Sequence, residues 1–416
     1  TEPTGGAEDG PTGGTQDDGN DANGDMTVNA GDKVWLDVNN SAKQVEIELP
    51  NYVGAFDEIM ATLDITCPPG GCDPWDRVSG VRLKGHNGEW YEIIRYITPY
   101  GVACNSAIDL TDFMSILHGK VTFQFELGTQ GNGFEYTLNL DYRKGTPDHA
   151  YSAIEKLWTG TFPFGDMANR NPTPVFNTSA AQNAEALKLK LVSTGHGWGE
   201  NNTDNAAEFH DDTHFIRIDG NNEFTQRNWY SCNPNPDGCN PQNGTWNFDR
   251  AGWCPGAIAQ WFDYDMNNFV GKNLEMDYVF NPFYTDLCHP NNPNCVTTST
   301  CDCAAGFNPH LIVSSHLISF GSSPMDSPLS STQEIGNVSF NVFPNPTAGE
   351  VSITLQEEVK KLNISIINNL GQRVKYHESD FPLQTTTIDL AQLPAGVYVA
   401  TVEDENNCTA TISVEV

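Results

Sequence analysis

The segment 67–77 reads Cys-Pro-Pro-Gly-Gly-Cys-Asp-Pro-Trp-Asp-Arg and combines two cysteines with acidic and basic residues. A disulfide between Cys67 and Cys72 would close a small loop just before Asp76. A rigid loop fixes the direction of a carboxylate, and the neighbouring guanidinium of Arg77 keeps it ionised. These surroundings suit a general base or nucleophile. The same segment also fits a stapled hairpin with a surface ion pair.

Alternating apolar and polar residues predict the strands that must position this loop. The alternation is clearest in the segments 34–38, 45–49, 121–125 and 136–140. A period of two places one face of each strand in a core and the other in water, as in antiparallel sandwiches. A second β-rich stretch predicts strands at 187–193, 213–219, 274–280 and 311–320. We therefore predict an all-β protein with two adjacent antiparallel, jelly-roll-like sandwiches and a small C-terminal sandwich.

Composition restricts the partners and the compartment. The chain has 416 residues, of which 54 are acidic and 21 basic, and its formal net charge is −33. Such a charge repels nucleic acid and anionic lipid surfaces, and no apolar run approaches the roughly 18 residues needed to cross a bilayer. Eleven cysteines in loops rich in Asn, Pro and Gly indicate an oxidising compartment. We predict a secreted monomer without a membrane span, with Cys408 as the unpaired cysteine.

The chain divides into five segments by composition. Residues 1–25 contain seven glycines, seven acidic residues and almost nothing apolar, which predicts a disordered acidic leader. We assign the two large sandwiches to residues 26–148 and 149–322, and a Ser/Pro-rich linker to residues 323–334. Residues 335–416 form the third β-rich unit.

Three motifs punctuate the C-terminal unit: Phe-Pro-Asn-Pro-Thr at 343–347, Ile-Ile-Asn-Asn-Leu-Gly-Gln-Arg at 366–373 and Leu-Pro-Ala-Gly-Val-Tyr at 393–398. Their Pro and Gly residues mark turns between short strands. In this order the motifs resemble the C-terminal sorting domains of type IX secretion cargo. The resemblance implies export by the type IX machinery across the outer membrane of a Gram-negative bacterium, followed by release or attachment to the cell surface.

The larger module resembles the peptide:N-glycosidase F family over about residues 30–320. The motifs that carry this resemblance run in order along the chain and begin with the 67–77 segment. They continue with Glu-Trp-Tyr-Glu-Ile at 89–93, Ile-Thr-Pro-Tyr at 97–100, Gly-His-Gly-Trp-Gly at 195–199, Ala-Ala-Glu-Phe at 206–209 and Asp-Arg-Ala-Gly-Trp-Cys-Pro-Gly at 249–256. Family membership implies hydrolysis of the amide that joins an Asn side chain to the first N-acetylglucosamine of an N-glycan. The expected substrate is an N-glycoprotein or glycopeptide.

The resemblance also implies the site residues. Asp76 matches the principal catalytic carboxylate, and Glu208 and Glu126 match the second and third acids. The expected substrate-binding residues are Arg77, Arg250, Trp198 and His196. In this chemistry an acid protonates the departing nitrogen while a base activates water, so one carboxyl would hold a proton while Asp76 is the base. The resemblance implies one disulfide among Cys232, Cys239 and Cys254, with Cys232 and Cys254 as the expected members.

Two departures from the family pattern stand near these acids. The family brackets the second acid with cysteines, whereas this chain has Ala206 and His210 there, so packing must position Glu208. Gly128 replaces a tryptophan expected two residues after Glu126, which removes an aromatic surface for sugar. An altered homologue that binds glycan or peptide without turnover is the alternative function.

Metal sites are a further alternative. The trio His196, His210 and His214 could suggest copper, because the family shares its fold with copper-dependent monooxygenases, but the chain lacks the His-x-His pair that those enzymes use. Four cysteines could suggest zinc, although secretion favours disulfides: Cys288, Cys295, Cys301 and Cys303. We predict neither metal nor cofactor.

Overall fold

The structure is a computed structural model. It describes residues 24–50, 54–198, 203–289, 291–294, 308–325, 340–343, 347, 349–359, 362–367, 373–379, 383–394, 396–404 and 409–415. These ranges contain β-strands and three short 3₁₀ helices, at Thr111–Phe113, Thr203–Asn205 and Asn267–Phe269. The prediction of an all-β protein is confirmed. Most of the predicted leader (1–25), most of the predicted linker (323–334) and Cys408 lie outside the described residues.

Two antiparallel sheets form the first sandwich. The four-stranded sheet has the order β1 (Met26–Leu36), β8 (Phe134–Lys144), β3 (Phe56–Thr66) and β6 (Cys104–Asp109). The five-stranded sheet has the order β14 (Ala257–Ile258), β5 (Trp90–Ile97), β4 (Val78–Lys84), β7 (Gly119–Leu127) and β2 (Ala42–Leu49). Alternate residues of β7 and β8 meet in one core, in which Phe123, Phe125, Leu138 and Leu140 are completely buried. Burial of each such side chain contributes about 1.5–3 kcal/mol.

The second sandwich also consists of two antiparallel sheets. One has the order β10 (Phe176–Ser179), β16 (Asn273–Val279), β12 (Thr213–Ile218) and β13 (Asn221–Arg227). The other has the order β15 (Trp261–Asp265), β11 (Ala186–His196), β17 (His310–Gly321) and β9 (Tyr151–Pro163). Their facing sides bury Trp158, Leu189 and Tyr278 completely. The strands that alternation predicted at 213–219, 274–280 and 311–320 coincide with β12, β16 and β17 within one residue, and the strand predicted at 187–193 lies within β11, which continues to His196.

Side-chain hydrogen bonds connect the two sandwiches. The lysines Lys188 and Lys190 of β11 donate to Asp112, which follows β6, at 2.8 and 3.0 Å. Arg95 of β5 is buried and donates across the junction to Thr194 at 3.2 Å. The short strand β14 comes from the second half of the sequence yet pairs with β5 of the first sandwich. The junction is therefore a fixed part of the fold, and it can hold groups from both sandwiches in register.

The C-terminal unit has its own core. Its two sheets have the orders β18 (Phe340–Phe343), β19 (Glu350–Val359) and β22 (Leu383–Asp389), and β21 (Arg373–Ser379), β20 (Leu362–Ile367), β23 (Val397–Asp404) and β24 (Thr409–Glu415). Ile353, Ile364 and Ala400 are completely buried within it. In the part of the chain that the structure describes, no helix is both long enough and apolar enough to cross a bilayer.

Candidate active site at the junction of the sandwiches

Asp76 lies in the loop between β3 and β4, and a covalent bond and a buried acid hold this loop. Cys67 and Cys72 form a disulfide. The carboxylate of Asp73 is almost completely buried, accepts the backbone N–H of Trp75 at 3.0 Å and pairs with Nε of Arg77 at 3.1 Å. Arg77 therefore supports the loop through Asp73 and does not pair with Asp76.

Tyr100 makes the closest polar contact of Asp76. Its hydroxyl donates to Oδ2 of Asp76 at 2.7 Å. Burial and the nearby negative charge of Asp76 raise the pKa of Tyr100 well above its ordinary value, so the hydroxyl remains a donor. Because Tyr100 follows the end of β5, the same sheet that carries β4 also supplies this contact.

Arg250 connects the two acids. Its side chain is completely buried, and its Nε donates to Oε1 of Glu208 at 3.1 Å while one Nη lies 3.9 Å from Oδ2 of Asp76. The guanidinium also donates to the backbone carbonyls of Phe248 and Thr245 at 2.6 and 3.0 Å. The rings of Phe209 and Trp253 each lie 4.9 Å from its central carbon. Such a complete set of partners fixes a guanidinium in one orientation.

Glu208 lies in the loop that follows the 3₁₀ helix Thr203–Asn205. Its backbone carbonyl accepts the N–H of Ala251 at 2.8 Å, which ties it to the segment that bears Arg250. Burial raises the pKa of Glu208 to about 7; the charge of Asp76 adds to this effect and Arg250 opposes it. At neutral and lower pH the carboxyl therefore carries a proton to a substantial degree.

A cavity of about 880 Å³ opens over both acids. Its lining includes Trp75, Asp76, Tyr100, His196, Trp198 and Glu208. Trp75, Trp198 and Phe248, which also lines the cavity, expose 58%, 41% and 55% of their surface. Exposed aromatic faces around a polar floor suit a carbohydrate ring, whose C–H groups stack on aromatic side chains while its hydroxyls bond to polar groups.

His196 lies at the wall of this cavity. Its ring stacks on Trp253 at 5.3 Å, and its Nε2 lies 2.9 Å from the hydroxyl oxygen of Thr194. Burial, with help from His310 and Arg95, holds the pKa of His196 well below its ordinary value. His196 is therefore a neutral wall residue that can donate or accept a hydrogen bond, and it does not supply positive charge.

Glu126 lines a second chamber, of about 710 Å³. There its Oε2 pairs with Nε of Arg82 at 3.0 Å. Gly128 lines the same chamber, so the position that lacks the expected tryptophan faces this chamber. Glu126 is not among the residues that line the cavity over Asp76 and Glu208.

The two chambers are neighbours at the junction. Val78 lines both of them. Along β17, His310 lines the first chamber and Ile312 the second. The two chambers therefore share a wall at Val78.

The structure thus brings Asp76, Glu208, Arg250, His196 and Trp198 together, whereas Glu126 lines the other chamber and Arg77 pairs with Asp73. Sequence reasoning singled out neither Tyr100 nor the disulfide between Cys104 and Cys239. Tyr100 belongs to the Ile-Thr-Pro-Tyr motif, where a hydroxyl just after a strand end was the available signal. The disulfide joins residues 135 apart in sequence, and no spacing pattern predicts it.

The remaining disulfide of the described residues joins Cys232 and Cys254, the expected members among the three competing cysteines. Cys288 is buried, whereas Cys295, Cys301 and Cys303 lie outside the described residues. Within the ranges described above, no three His, Cys, Asp or Glu side chains are arranged to hold a metal ion.

The structure thus consists of two adjoining sandwiches with a pair of acids at their junction, and two family models match parts of this chain. The model of the family described as "Peptide-N-glycosidase F, C terminal" matches residues 164–318. The model described as "Secretion system C-terminal sorting domain" matches residues 341–415. Residues 164–318 are therefore similar to the C-terminal domain of peptide:N-glycosidase F, and residues 341–415 match a type IX secretion sorting domain.

Individual relatives agree with this assignment. The peptide-N(4)-(N-acetyl-beta-D-glucosaminyl)asparagine amidase F of Elizabethkingia miricola is 36% identical over 234 residues, which cover 51% of this chain and 65% of that protein. The structure of PNGase F, a glycosylasparaginase from Flavobacterium meningosepticum, superposes with a TM-score of 0.64 at 27% identity over 73% of this chain and 98% of that one. PNGF-II, at 14% identity and a TM-score of 0.54, shares the fold.

Proposed function

We propose that this protein is a secreted amidase that hydrolyses the Asn–GlcNAc amide of N-glycoproteins, releasing the glycan and converting Asn to Asp. One observation carries the proposal: Asp76 and Glu208, from loops of different sandwiches, contact the same buried Arg250 at an open cavity. The relatives named as asparagine amidases support the choice of bond.

The reaction needs a base, an acid and a water molecule. Asp76, as the carboxylate, takes a proton from water, whose oxygen bonds to the side-chain carbonyl carbon of the substrate Asn. Glu208, which holds a proton at neutral pH, gives it to the nitrogen as the carbon–nitrogen bond breaks. The products are an Asp side chain and a glycosylamine. Arg250 contacts both carboxyl groups and holds each at a fixed position, so that Asp76 can act as the base and Glu208 as the acid.

In this proposal the substrate occupies both chambers. We assign the first sugar to the aromatic cavity, where Trp75 and Trp198 offer stacking faces and His196 offers a polar edge. Glu126 then meets the glycan beyond the first sugar, and Arg77 acts through the Asp73 carboxylate on the Asp76 loop. The boundaries 26–148 and 149–322 remain our proposal for the two halves of this module.

The sorting domain indicates how the protein is exported. The match over residues 341–415 supports export by the type IX machinery, with the amidase module released or held at the surface of a Gram-negative cell. An acidic, disulfide-bonded module that acts as a monomer on extracellular glycoproteins is consistent with the composition of the chain.

The test is mass spectrometry of a defined N-glycopeptide incubated with the full chain in heavy-isotope water. We expect free glycan and a peptide in which Asn has become Asp with one heavy oxygen, since water supplies that atom. Asp76→Asn should abolish the product, while Glu223→Gln, which removes an exposed acid on β13, should leave it unchanged.

Two outcomes would contradict the proposal. Product formation by Asp76→Asn at the wild-type rate would remove Asp76 from the chemistry. Saturable glycopeptide binding by the wild type without product from any glycopeptide would replace the amidase with the alternative, a glycan- or peptide-binding protein.

A further inference from the structure

The loop that carries Glu208 lacks the cysteine bracket that the family resemblance leads one to expect, because Ala206 and His210 occupy those positions. Backbone hydrogen bonds supply part of the support: Phe209 N–H donates to Asn205 O at 3.1 Å, and Ala251 N–H donates to Glu208 O at 2.8 Å. These bonds hold the backbone at Glu208 but leave the two ends of the loop to be joined by something else.

His210 joins them. Its Nδ1 lies 3.3 Å from the backbone oxygen of Asp204, at the start of the loop. Its Nε2 lies 3.3 Å from Oδ2 of Asp212, just before β12. The ring packs against Tyr284, with 4.6 Å between ring centroids. One side chain therefore closes the segment 204–210 around Glu208 and also ties it to the sheet.

Asp212 is a fixed anchor for this contact. It is 8% exposed, and its Oδ1 accepts the N–H of Thr213 at 2.7 Å and the side-chain amide of Asn281 at 2.6 Å. Those two bonds come from β12 and from the segment after β16, so the carboxylate cannot follow a moving loop. The loop must come to it through His210.

Both ring nitrogens of His210 face oxygen atoms, so the protonation state of the ring decides whether one or both nitrogens can donate a hydrogen bond. The imidazolium donates from both nitrogens, whereas a neutral ring donates from one and presents a lone pair to the other oxygen. The titratable groups around the ring are Asp204, Asp212, His214 and Tyr284. Burial lowers the pKa of His214 to about 4, so His214 is neutral and does not compete for the Asp212 charge.

The charge state of His210 follows from these neighbours. Burial alone lowers its pKa, but the Asp212 carboxylate and the Asp204 carbonyl outweigh burial and raise the pKa above its ordinary value. A raised pKa in the folded state means that the stabilisation is complete at pH values below the unfolded pKa and is lost as the pH rises through the folded one.

We propose that His210 is a positioning residue whose side chain acts as a protonated, non-covalent clasp on the Glu208 loop, in place of a disulfide. The clasp aligns Glu208 with Asp76 while His210 is charged and loosens when it is neutral. The consequence for catalysis rests on the proposed function. The consequence for loop order does not.

Loop order is measured by amide hydrogen exchange across residues 203–212. We expect faster exchange at the Phe209 amide in the wild type as the pH rises, after correction for intrinsic exchange, and fast exchange at every pH in His210→Ala. The matched control is His149→Ala, which removes a histidine that pairs with Glu185 at 3.5 Å, away from the cavity. Unchanged protection of the 203–212 segment in His210→Ala would overturn the clasp.

Activity provides the second readout. We expect His210→Ala to lower kcat by about 10- to 100-fold with little change in KM, since misplacement of a catalytic group by about 1 Å has such an effect. The variant Ala206→Cys/His210→Cys, once thiol titration shows the new disulfide, should restore kcat and restore protection of the loop at high pH. A double variant with a formed disulfide that stays as slow as His210→Ala would contradict the positioning role.

The two proposals fail in different ways. A wild type without amidase product, but with loop protection that depends on His210, keeps the clasp and removes the proposed function. Amidase activity in a His210→Ala variant that equals the wild type across the whole pH range removes the clasp and keeps the function.

Discussion

The loops that carry Asp76 and Glu208 meet at Arg250 but are held in different ways. The Asp76 loop is closed by the Cys67–Cys72 disulfide and pinned from inside by the buried carboxylate of Asp73. The Glu208 loop has no such bond in its described residues and depends on backbone hydrogen bonds and on His210. A disulfide therefore closes the loop of Asp76, whereas the loop of Glu208 is held by contacts that depend on the pH.

This difference suits the two roles that we propose, with Asp76 as the base and Glu208 as the acid. A base works best when its direction toward the substrate is fixed, which a stapled loop provides. An acid must hold a proton at neutral pH, and Glu208 obtains this from burial. The comparison predicts that substitutions in the Asp76 loop lower kcat or the free energy of unfolding. Substitutions in the Glu208 loop should instead change how kcat depends on pH.

Loss of the Asp76 carboxylate should have the largest effect. Asp76→Asn keeps an oxygen for the Tyr100 hydrogen bond but removes the base, so we expect kcat to fall by about 10³- to 10⁴-fold with an unchanged melting temperature. Single-turnover kinetics on a glycopeptide measure this effect. The Glu223→Gln control should match the wild type, and a fall in its rate of similar size would show that the loss is not specific to the site.

Arg250→Met should damage both sides at once. The change removes the buried partner of Glu208 and the cation that faces Asp76, so we expect about 3 kcal/mol less free energy of unfolding and a fall in kcat of about 10³-fold. Urea unfolding and initial rates measure the two quantities. An Arg250→Met variant with wild-type stability would show that the guanidinium does not organise the junction.

Glu208→Gln isolates the acid. Because the pKa of Glu208 is about 7, the protonated fraction falls as the pH rises through 7, and we expect kcat of the wild type to fall with it. The variant should be about 10²-fold slower at low pH and should lose that limb of the pH–rate profile. If the limb persists in Glu208→Gln, a group other than Glu208 controls it.

Removal of the Cys67–Cys72 disulfide next to Asp76 should have the smallest effect on catalysis. Cys67→Ser/Cys72→Ser opens a short loop, so we expect a loss of about 2 kcal/mol in the free energy of unfolding and only a few-fold change in kcat, because Asp73 still anchors the loop.

The matched comparison is Cys232→Ser/Cys254→Ser. This disulfide spans 22 residues, and chain entropy predicts a loss of about 3 kcal/mol. A larger loss of kcat in Cys67→Ser/Cys72→Ser than in His210→Ala would reverse the comparison between the loops.

Local pattern predicted most of the fold. The alternation in segments such as 121–125 and 187–193 predicted strands of both sandwiches, because a period of two fixes which side chains reach the core. The resemblance of short motifs identified Asp76, Glu208 and Arg250, which the structure brings together.

Contacts between distant segments could not be predicted in the same way. The ion pair of Glu126 with Arg82 depends on how β7 pairs with β4, and the Cys104–Cys239 disulfide depends on how the two sandwiches dock. The partner of Arg77 is Asp73, four residues earlier, because the loop turns back on itself. No sequence spacing encodes such a turn by itself.

The most direct test of the account is a double-mutant cycle for Asp76→Asn and Glu208→Gln, with single-turnover rates on one glycopeptide. Residues that act as a unit give strongly non-additive effects. We predict that the double variant is no more than a few-fold slower than Asp76→Asn alone. Two losses that simply multiply would show that the acids act independently, and would contradict the proposal that they form one catalytic pair.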